Sequence, residues 1–186
     1  YTGNVKKPGD YDYIDAGRIS TQILTESEDG QHMSQKVKLL GMEDYPGDMT
    51  QHIRDPKVWK ENGKYFMVLG ARKRAWDPDG KRNDKGGVLI YESSDKRNWR
   101  LYQEYVPEKK FGYMWECPDL FYLEGRKILS FCPQGLAAEA EKYQNIYQSG
   151  YAFLRDGESP EKTFREWDMG FDFYAPQTFE TEDKRR

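Results

Sequence analysis

The sequence contains few of the residues from which metal centres and disulfide frameworks are built. Among its 186 residues are two cysteines, Cys117 and Cys132, and two histidines. Two cysteines do not make a disulfide framework, and two histidines do not support a zinc site, so we predict no metal and no cofactor. The simplest interpretation of Cys117 and Cys132 is a pair of partly buried thiols.

Long apolar runs and an excess of charge of one sign are also missing. The longest apolar runs, such as residues 65–71, are too short to cross a bilayer, and 29 basic residues nearly balance 32 acidic ones. We therefore predict no membrane partner and no nucleic-acid partner. The sequence also has no Asn-x-Ser/Thr site and no signal sequence, and we expect a cytoplasmic location.

Aromatic side chains, in contrast, are abundant, with 14 Tyr, 9 Phe and 5 Trp. The mean hydropathy of −1.01 is by itself typical of a disordered chain. Disordered segments are poor in aromatic residues, however, and here the rings recur at regular intervals. We therefore predict short strands whose aromatic rings fill a β-sheet core.

One pattern, a proline followed three residues later by an aromatic residue, occurs three times. The segments are 54–59 (Arg-Asp-Pro-Lys-Val-Trp), 116–121 (Glu-Cys-Pro-Asp-Leu-Phe) and 174–179 (Tyr-Ala-Pro-Gln-Thr-Phe). Their prolines are 62 and 58 residues apart, so that Glu116 aligns with Arg54 in the repeat. A repeat of about 60 residues built from strands predicts a series of small sheets.

Each repeat is predicted to hold four antiparallel strands. The first is the proline segment, and a turn at Gly63 or Gly125 leads to the second. The predicted second strands are residues 65–69 and 128–131, and the predicted third strands are 21–24, 88–91 and 151–154, which lead to Asp29, Asp95 and Asp156. The fourth strand is expected to begin at Trp99 or Trp167.

Four-stranded units that repeat around an axis make a β-propeller, so we predict an all-β fold of this kind. We favour it over a two-sheet sandwich, which predicts no repeat of whole units. Three units do not close a ring, and residues 1–186 are therefore expected to form about three blades of a larger propeller, truncated at both ends. Only residues 136–143 have helical composition, and we interpret them as a loop with one or two helical turns.

Two carboxylates occupy matched places in the repeat. Asp55 and Glu116 are expected just before the first strand of successive units, where inner strands of a propeller would bring them to one mouth with Arg54. A pair of carboxylates is the usual apparatus of glycoside hydrolysis. Aromatic neighbours such as Trp115 would favour the protonated form of Glu116, and Arg54 would favour ionised Asp55. The alternative is that these residues are solvated surface charges or a local ion pair.

The sequence around these residues resembles glycoside hydrolase family 32, which includes invertases, fructanases and sucrose-6-phosphate hydrolases. Residues 52–59 and 114–121 resemble its Arg-Asp-Pro and Glu-Cys-Pro-Asp motifs. Residues 1–5, 147–151 and 170–178 are also similar to segments of the family, so the resemblance runs from end to end.

The resemblance implies a five-bladed propeller that hydrolyses terminal β-fructosides such as sucrose or sucrose-6-phosphate with retention of configuration. It implies that Glu116 is the general acid/base, and that Asp55, with Arg54 beside it, stabilises the transition state by binding fructose hydroxyls. Tyr174 and Gln177 are further candidates for substrate binding, or simply turn and strand residues. The expected partner is a fructose-containing di- or oligosaccharide, no metal or nucleotide is implied, and the oligomeric state stays open.

One family motif is missing from the sequence. The nucleophile of the family is an aspartate in a Trp-x-Asn-Asp-Pro-Asn-Gly motif, and the nearest string, residues 77–80, is interpreted as a turn. A retaining mechanism needs this second carboxylate, so we predict that the chain alone is inactive and that its parent is active. The alternatives are a fructosyltransferase of the same fold and a non-catalytic, carbohydrate-binding or structural propeller piece.

A basic string is the remaining candidate for substrate binding. Residues 72–74 (Arg-Lys-Arg) and 81–82 (Lys-Arg) could hold a substrate phosphate. A solvated hairpin loop is the simpler interpretation.

Overall fold

The computed structural model of the chain describes residues 1–155, 158–183 and 185–186. These residues form eleven strands, and adjacent strands in each sheet pair antiparallel. The strands are β1 (Thr2–Lys6), β2 (Arg18–Leu24), β3 (Val37–Leu40), β4 (Met49–Glu61), β5 (Lys64–Lys73), β6 (Lys85–Ser93), β7 (Arg100–Tyr105), β8 (Met114–Leu123), β9 (Arg126–Gln134), β10 (Gly150–Phe153) and β11 (Arg165–Glu166). Short 3-10 helices cover Met42–Asp44 and Pro160–Thr163.

The strands form three sheets in chain order. The first sheet has the order β1-β2-β3, the second β4-β5-β6-β7, and the third β11-β10-β9-β8. The predicted four-stranded unit is thus confirmed for the second and third sheets, and the first sheet has three strands among the described residues. The first two proline segments lie in β4 and β8, each at one edge of its sheet. The third, residues 174–179, was predicted as a strand but lies in none.

Most predicted strands lie inside the observed ones to within one residue, and the clearest difference is in the last strand of the third sheet. This strand is predicted to begin at Trp167, but the observed β11 ends at Glu166. The indole of Trp167 donates a hydrogen bond to Ser130 Oγ at 2.9 Å. The predicted end of the preceding strand at Asp156 falls outside the described residues.

Residues 136–143 form a loop, as predicted, but without the helical turns. The backbone groups of Glu139 and Lys142 exchange two hydrogen bonds, and Ala140 and Tyr143 have positive φ angles of 43° and 57°. Such angles are incompatible with a right-handed helix, so the local turn overrides a composition that favours one.

Elsewhere in the described chain, no helix is long and apolar enough to cross a membrane.

The second sheet is buried on both faces. Alternate residues of β5 point to opposite sides, so that Met67 and Leu69 join a core with the first sheet while Val68 joins a core with the third. In β6, Leu89 and Ile90 divide in the same way. A strand that is buried on both faces reads as a continuous apolar run, which explains the longest apolar segments of the sequence.

Gly70 allows the second and third sheets to approach closely. A Cβ atom at this position would lie 2.1 Å from the backbone oxygen of Trp115, an atom that cannot move aside easily. We expect Gly70→Ala to destabilise the chain by about 1–3 kcal/mol through overpacking, which lowers Tm by several degrees. Thermal unfolding followed by circular dichroism measures the effect.

Gly47→Ala is the matched control for this experiment. A Cβ atom at Gly47 would meet no heavy atom within 4 Å. Its Tm should stay close to that of the parent chain. Equal Tm values for the Gly70 and Gly47 variants would contradict the close approach of the two sheets.

Candidate active site

The repeated proline segments share an unusual backbone conformation. Asp55, Cys117 and Ala175 each have a positive φ, of 61°, 48° and 56°, and each precedes a proline. A residue before proline is normally extended, so three left-handed residues at this point mark one local structure in all three repeats. We call it the pre-proline kink.

The kink also explains where the two predicted carboxylates lie. Pairing of β4 with β5 shifts between Arg54 and Lys57, and pairing of β8 with β9 shifts between Glu116 and Asp119. These bulges do not end the strands, which begin at Met49 and Met114. Asp55 and Glu116 therefore lie inside their strands, and the prediction that they precede them was wrong.

The residues just before the three kinks contact one another. We call Arg54, Glu116 and Tyr174 the pre-kink trio. Arg54 donates to Glu116 Oε1 from Nε at 2.9 Å and from Nη2 at 2.5 Å, and the Tyr174 hydroxyl lies 2.5 Å from Glu116 Oε2. Three equivalent positions of the repeat thus converge on one carboxylate, whose side chain is only 16% exposed.

A fourth contact to Glu116 comes from a residue that the sequence did not indicate. Gln134, at the end of β9, donates from Nε2 to Glu116 Oε2 at 2.7 Å. Its equivalent in the preceding repeat is Arg72, 62 residues earlier, so the repeat itself predicts no shared role. The pairing of β9 with β8 brings Gln134 to the site. In the sequence, the only indication of this is that Gln134 is a polar residue at the end of the strand that pairs with the Glu116 segment.

The surroundings of Glu116 are polar, contrary to the expectation of aromatic walls. Trp115 is fully buried in the core between the second and third sheets, where its indole donates to the carbonyl of Phe111. Successive residues of a strand face opposite sides, so the neighbour of Glu116 in the sequence is not its neighbour in space.

Asp55 lies where the first and third sheets meet β4. Its Oδ2 accepts a hydrogen bond from the backbone N–H of Cys117 at 3.0 Å, and its own N–H donates to Thr2 Oγ1 at 3.0 Å. Arg54 Nε is 3.9 Å from Asp55 Oδ2, so the arginine is directed to Glu116 and its ion pair with Asp55 is the longer one. The Asp55 side chain is 32% exposed and open to a ligand.

Tyr174 and Gln177 both lie near Glu116 but make different contacts. Burial and the neighbouring Glu116 raise the pKa of the Tyr174 phenol, which therefore stays a neutral hydroxyl donor. Gln177 donates from Nε2 to the carbonyl of Cys117 at 3.2 Å, which ties the third proline segment to β8. The structure thus brings Tyr174 to the carboxylate and gives Gln177 a contact to backbone.

A second polar contact joins Lys57 and Asp119, which occupy equivalent positions three residues after Arg54 and Glu116. Asp119 is buried, and its Oδ2 is 3.4 Å from Lys57 Nζ. The same oxygen accepts hydrogen bonds from the N–H and Oγ1 of Thr178 at 2.7 and 2.8 Å. One carboxylate therefore links all three proline segments.

The basic string proposed for phosphate binding is paired with carboxylates. Arg72 and Arg82 contact Oδ2 of the buried Asp84, each at 2.7 Å. Arg74 pairs with Asp15, and Lys73 pairs with Asp48 and Glu104. These ion pairs offset the positive charge locally, which leaves less of it for a substrate phosphate. Arg72 and Lys73 lie at the end of β5 and not in a solvated loop.

Comparison with known proteins identifies the family. The profile described as "Glycosyl hydrolases family 32 N-terminal domain" matches residues 1–186. The sucrose-6-phosphate hydrolase of Bacillus subtilis is 40% identical to the chain, over 100% of this chain and 37% of its own length. The chain thus spans a little over a third of the length of this curated relative.

Solved structures of similar proteins point to the same family. A variant of a Bombyx mori GH32 beta-fructofuranosidase in complex with sucrose has a TM-score of 0.78 and 36% identity, over 98% of this chain and 37% of that chain. A sucrose-6-phosphate hydrolase from Lactobacillus gasseri has a TM-score of 0.69 and 33% identity, over 90% of this chain and 34% of that chain. The three sheets match about a third of the length of these five-bladed propeller structures, which confirms the predicted all-β propeller fold. The chain belongs to glycoside hydrolase family 32.

Proposed function

We propose that these residues supply the general acid/base and the transition-state stabiliser of a β-fructofuranosidase of the sucrose or sucrose-6-phosphate type. The observation that supports it most directly is the convergence of the pre-kink trio on Glu116. A carboxyl group held on both oxygens is oriented for proton transfer, and Asp55 lies open beside it. The substrate is a fructose-containing di- or oligosaccharide.

The proposed reaction has two steps. In the first, protonated Glu116 gives its proton to the glycosidic oxygen as the bond to fructose breaks, and a second carboxylate forms a bond to the anomeric carbon. In the second, the Glu116 carboxylate takes a proton from water as the water attacks that carbon and the ester bond breaks. Asp55 accepts hydrogen bonds from fructose hydroxyls throughout. The family's nucleophile motif is absent from the 186 residues, so the nucleophile belongs to another segment.

A chimera tests this proposal. The segment of the Bacillus subtilis relative that aligns with this chain is replaced by residues 1–186, and release of fructose from sucrose and from sucrose-6-phosphate is measured. We expect hydrolysis by the chimera and none by the 186 residues alone. A chimera that unfolds cooperatively on heating but releases no fructose would contradict the proposal, as would fructose release by the chain alone.

Two further observations separate the alternatives, one for each. Oligofructosides that replace free fructose at high sucrose concentration would indicate a fructosyltransferase. The missing nucleophile motif favours a non-catalytic piece, and that alternative is supported if the coding sequence upstream of the segment encodes no Trp-x-Asn-Asp-Pro-Asn-Gly motif.

A further inference from the structure

His52 contacts a different partner with each of its ring nitrogens. It lies on β4, two residues before Arg54. Its Nδ1 is 2.9 Å from Arg54 Nη1, and its Nε2 is 2.8 Å from the backbone oxygen of Tyr13. The imidazole therefore stands between the loop that precedes β2 and the arginine that holds Glu116.

These two partners allow only one form of the ring. A guanidinium has donors and no acceptor, so Nδ1 must carry a lone pair toward Arg54. A carbonyl oxygen only accepts, so Nε2 must carry the proton toward Tyr13. A second proton, on Nδ1, would place two N–H groups and two positive charges against each other.

The charged groups around His52 also favour the neutral form of its ring. Arg18 of β2, Arg54 of β4 and Arg72 of β5 all face the ring with positive charge. Burial, reinforced by these arginines, lowers the pKa of His52 to about 4. The ring is therefore neutral at pH 7, which is the form that Arg54 requires.

We propose that His52 is a positioning residue for the acid/base, which in its neutral form with the proton on Nε2 orients Arg54 against Glu116. This inference rests on the proposed function, because it deepens the role of the same site. It gives the first sheet a part in the chemistry, since Tyr13 belongs to the loop before β2. That loop is fixed by Asp12 Oδ1, which accepts hydrogen bonds from the N–H groups of Ile14, Asp15 and Ala16 at 2.9–3.1 Å.

Nitrogen-15 NMR of the labelled chain tests the form of the ring directly. The chain has two histidines, and His32→Gln removes the signals of the other one. We expect an unprotonated Nδ1 and an Nε2–H at pH 7, and a titration of His52 near pH 4. A proton on Nδ1, or a titration at the value of an exposed histidine, about 6.5, overturns the proposal.

The same lowered pKa predicts how stability depends on pH. The unfolded chain takes up the His52 proton at about pH 6.5 and the folded chain only at about pH 4. The stability that neutral His52 contributes is therefore complete above pH 6.5 and is lost as the pH falls toward 4. His52→Asn should remove this part of the pH dependence of Tm, because asparagine does not titrate.

Two substitutions separate the contact with Arg54 from the contact with Tyr13. Asparagine in place of His52 can present an oxygen where Nδ1 accepted from Arg54, whereas glutamine reaches the position of Nε2 and leaves Arg54 without its acceptor. In the chain itself, we expect His52→Gln to shift the carbon-13 signal of the Glu116 carboxyl more than His52→Asn does. Equal signals in the parent and both variants overturn the positioning role, whatever the outcome of the chimera experiment.

In the chimera, the two variants should differ in kcat. His52→Gln is expected to lower kcat about 10- to 100-fold, because a misplaced Arg54 leaves Glu116 off its productive geometry, with a smaller change in KM. His52→Asn should recover part of this loss. Equal kcat values for the parent and His52→Gln contradict the proposal, whereas an inactive parent chimera contradicts the proposed function and leaves the NMR results to decide the role of His52.

Discussion

Replacing Glu116 by glutamine in the chimera is expected to lower kcat for sucrose about 10²–10⁴-fold. Glutamine keeps the shape of the side chain and an oxygen for Arg54, but its amide has no proton to give to the glycosidic oxygen. Its NH₂ group would face Gln134 and Tyr174, which can accommodate it, since an amide can turn over and a hydroxyl can accept. The loss should therefore appear in the rate and not in the folding, and kcat measured beside Tm separates the two.

Azide distinguishes a lost acid/base from a damaged site. With a fructoside whose leaving group departs without protonation, the first step no longer needs Glu116, and azide attacks the covalent intermediate without a general base. Azide should therefore restore turnover of the Glu116→Gln chimera. Asp55→Asn is the matched control, because it loses contacts to fructose hydroxyls that azide does not replace. Turnover of sucrose by Glu116→Gln at the parental rate would refute the assignment.

Replacing Lys57 by methionine is expected to destabilise the chain by about 3–5 kcal/mol, because it leaves the carboxylate of Asp119 buried without its cation. The Asp119 side chain is 1% exposed, so water cannot take the place of the ammonium group. Methionine has a similar length, which limits the loss of packing. A change of this size lowers Tm by about 6–20 °C for a domain of this length.

A double variant isolates the charge from the packing. Lys57→Met combined with Asp119→Asn removes both charges and keeps a side-chain oxygen that can accept from Thr178, so no uncompensated charge stays buried. We expect this variant to recover most of the Tm lost by Lys57→Met alone. If the double variant is as unstable as the sum of the single ones, the ion pair is not what links the proline segments.

The repeat in the sequence was sufficient to predict the sheets. A proline every 60 or so residues, followed by an aromatic residue and a Gly turn, predicted β4 and β8 and the hairpins that follow them, because turn chemistry and alternation are local properties. The same alignment placed Glu116 at the position of Arg54. That these two side chains would bond to each other was not predictable from either segment, since it depends on the angle between two sheets.

The expectations that failed did so for identifiable reasons. Aromatic residues stand beside Glu116 in the sequence, but the alternation of side chains along β8 turns Trp115 into the core and away from Glu116. The strands begin earlier than predicted because a bulge shifts pairing without ending it. The sequence pattern does not indicate Gln134 or His52, because Gln134 contacts Glu116 on the neighbouring strand and His52 contacts the Tyr13 carbonyl in a distant loop.

The pre-proline kink has a consequence for how this site diversifies. A left-handed residue followed by a proline, whose φ is fixed, leaves the backbone little freedom, so the residue before it is aimed by a rigid support. Arginine, glutamate and tyrosine occupy that position in successive copies. In a duplicated blade, the side chain at this position therefore already points toward the propeller axis. Exchanging that one side chain changes its role without a new loop.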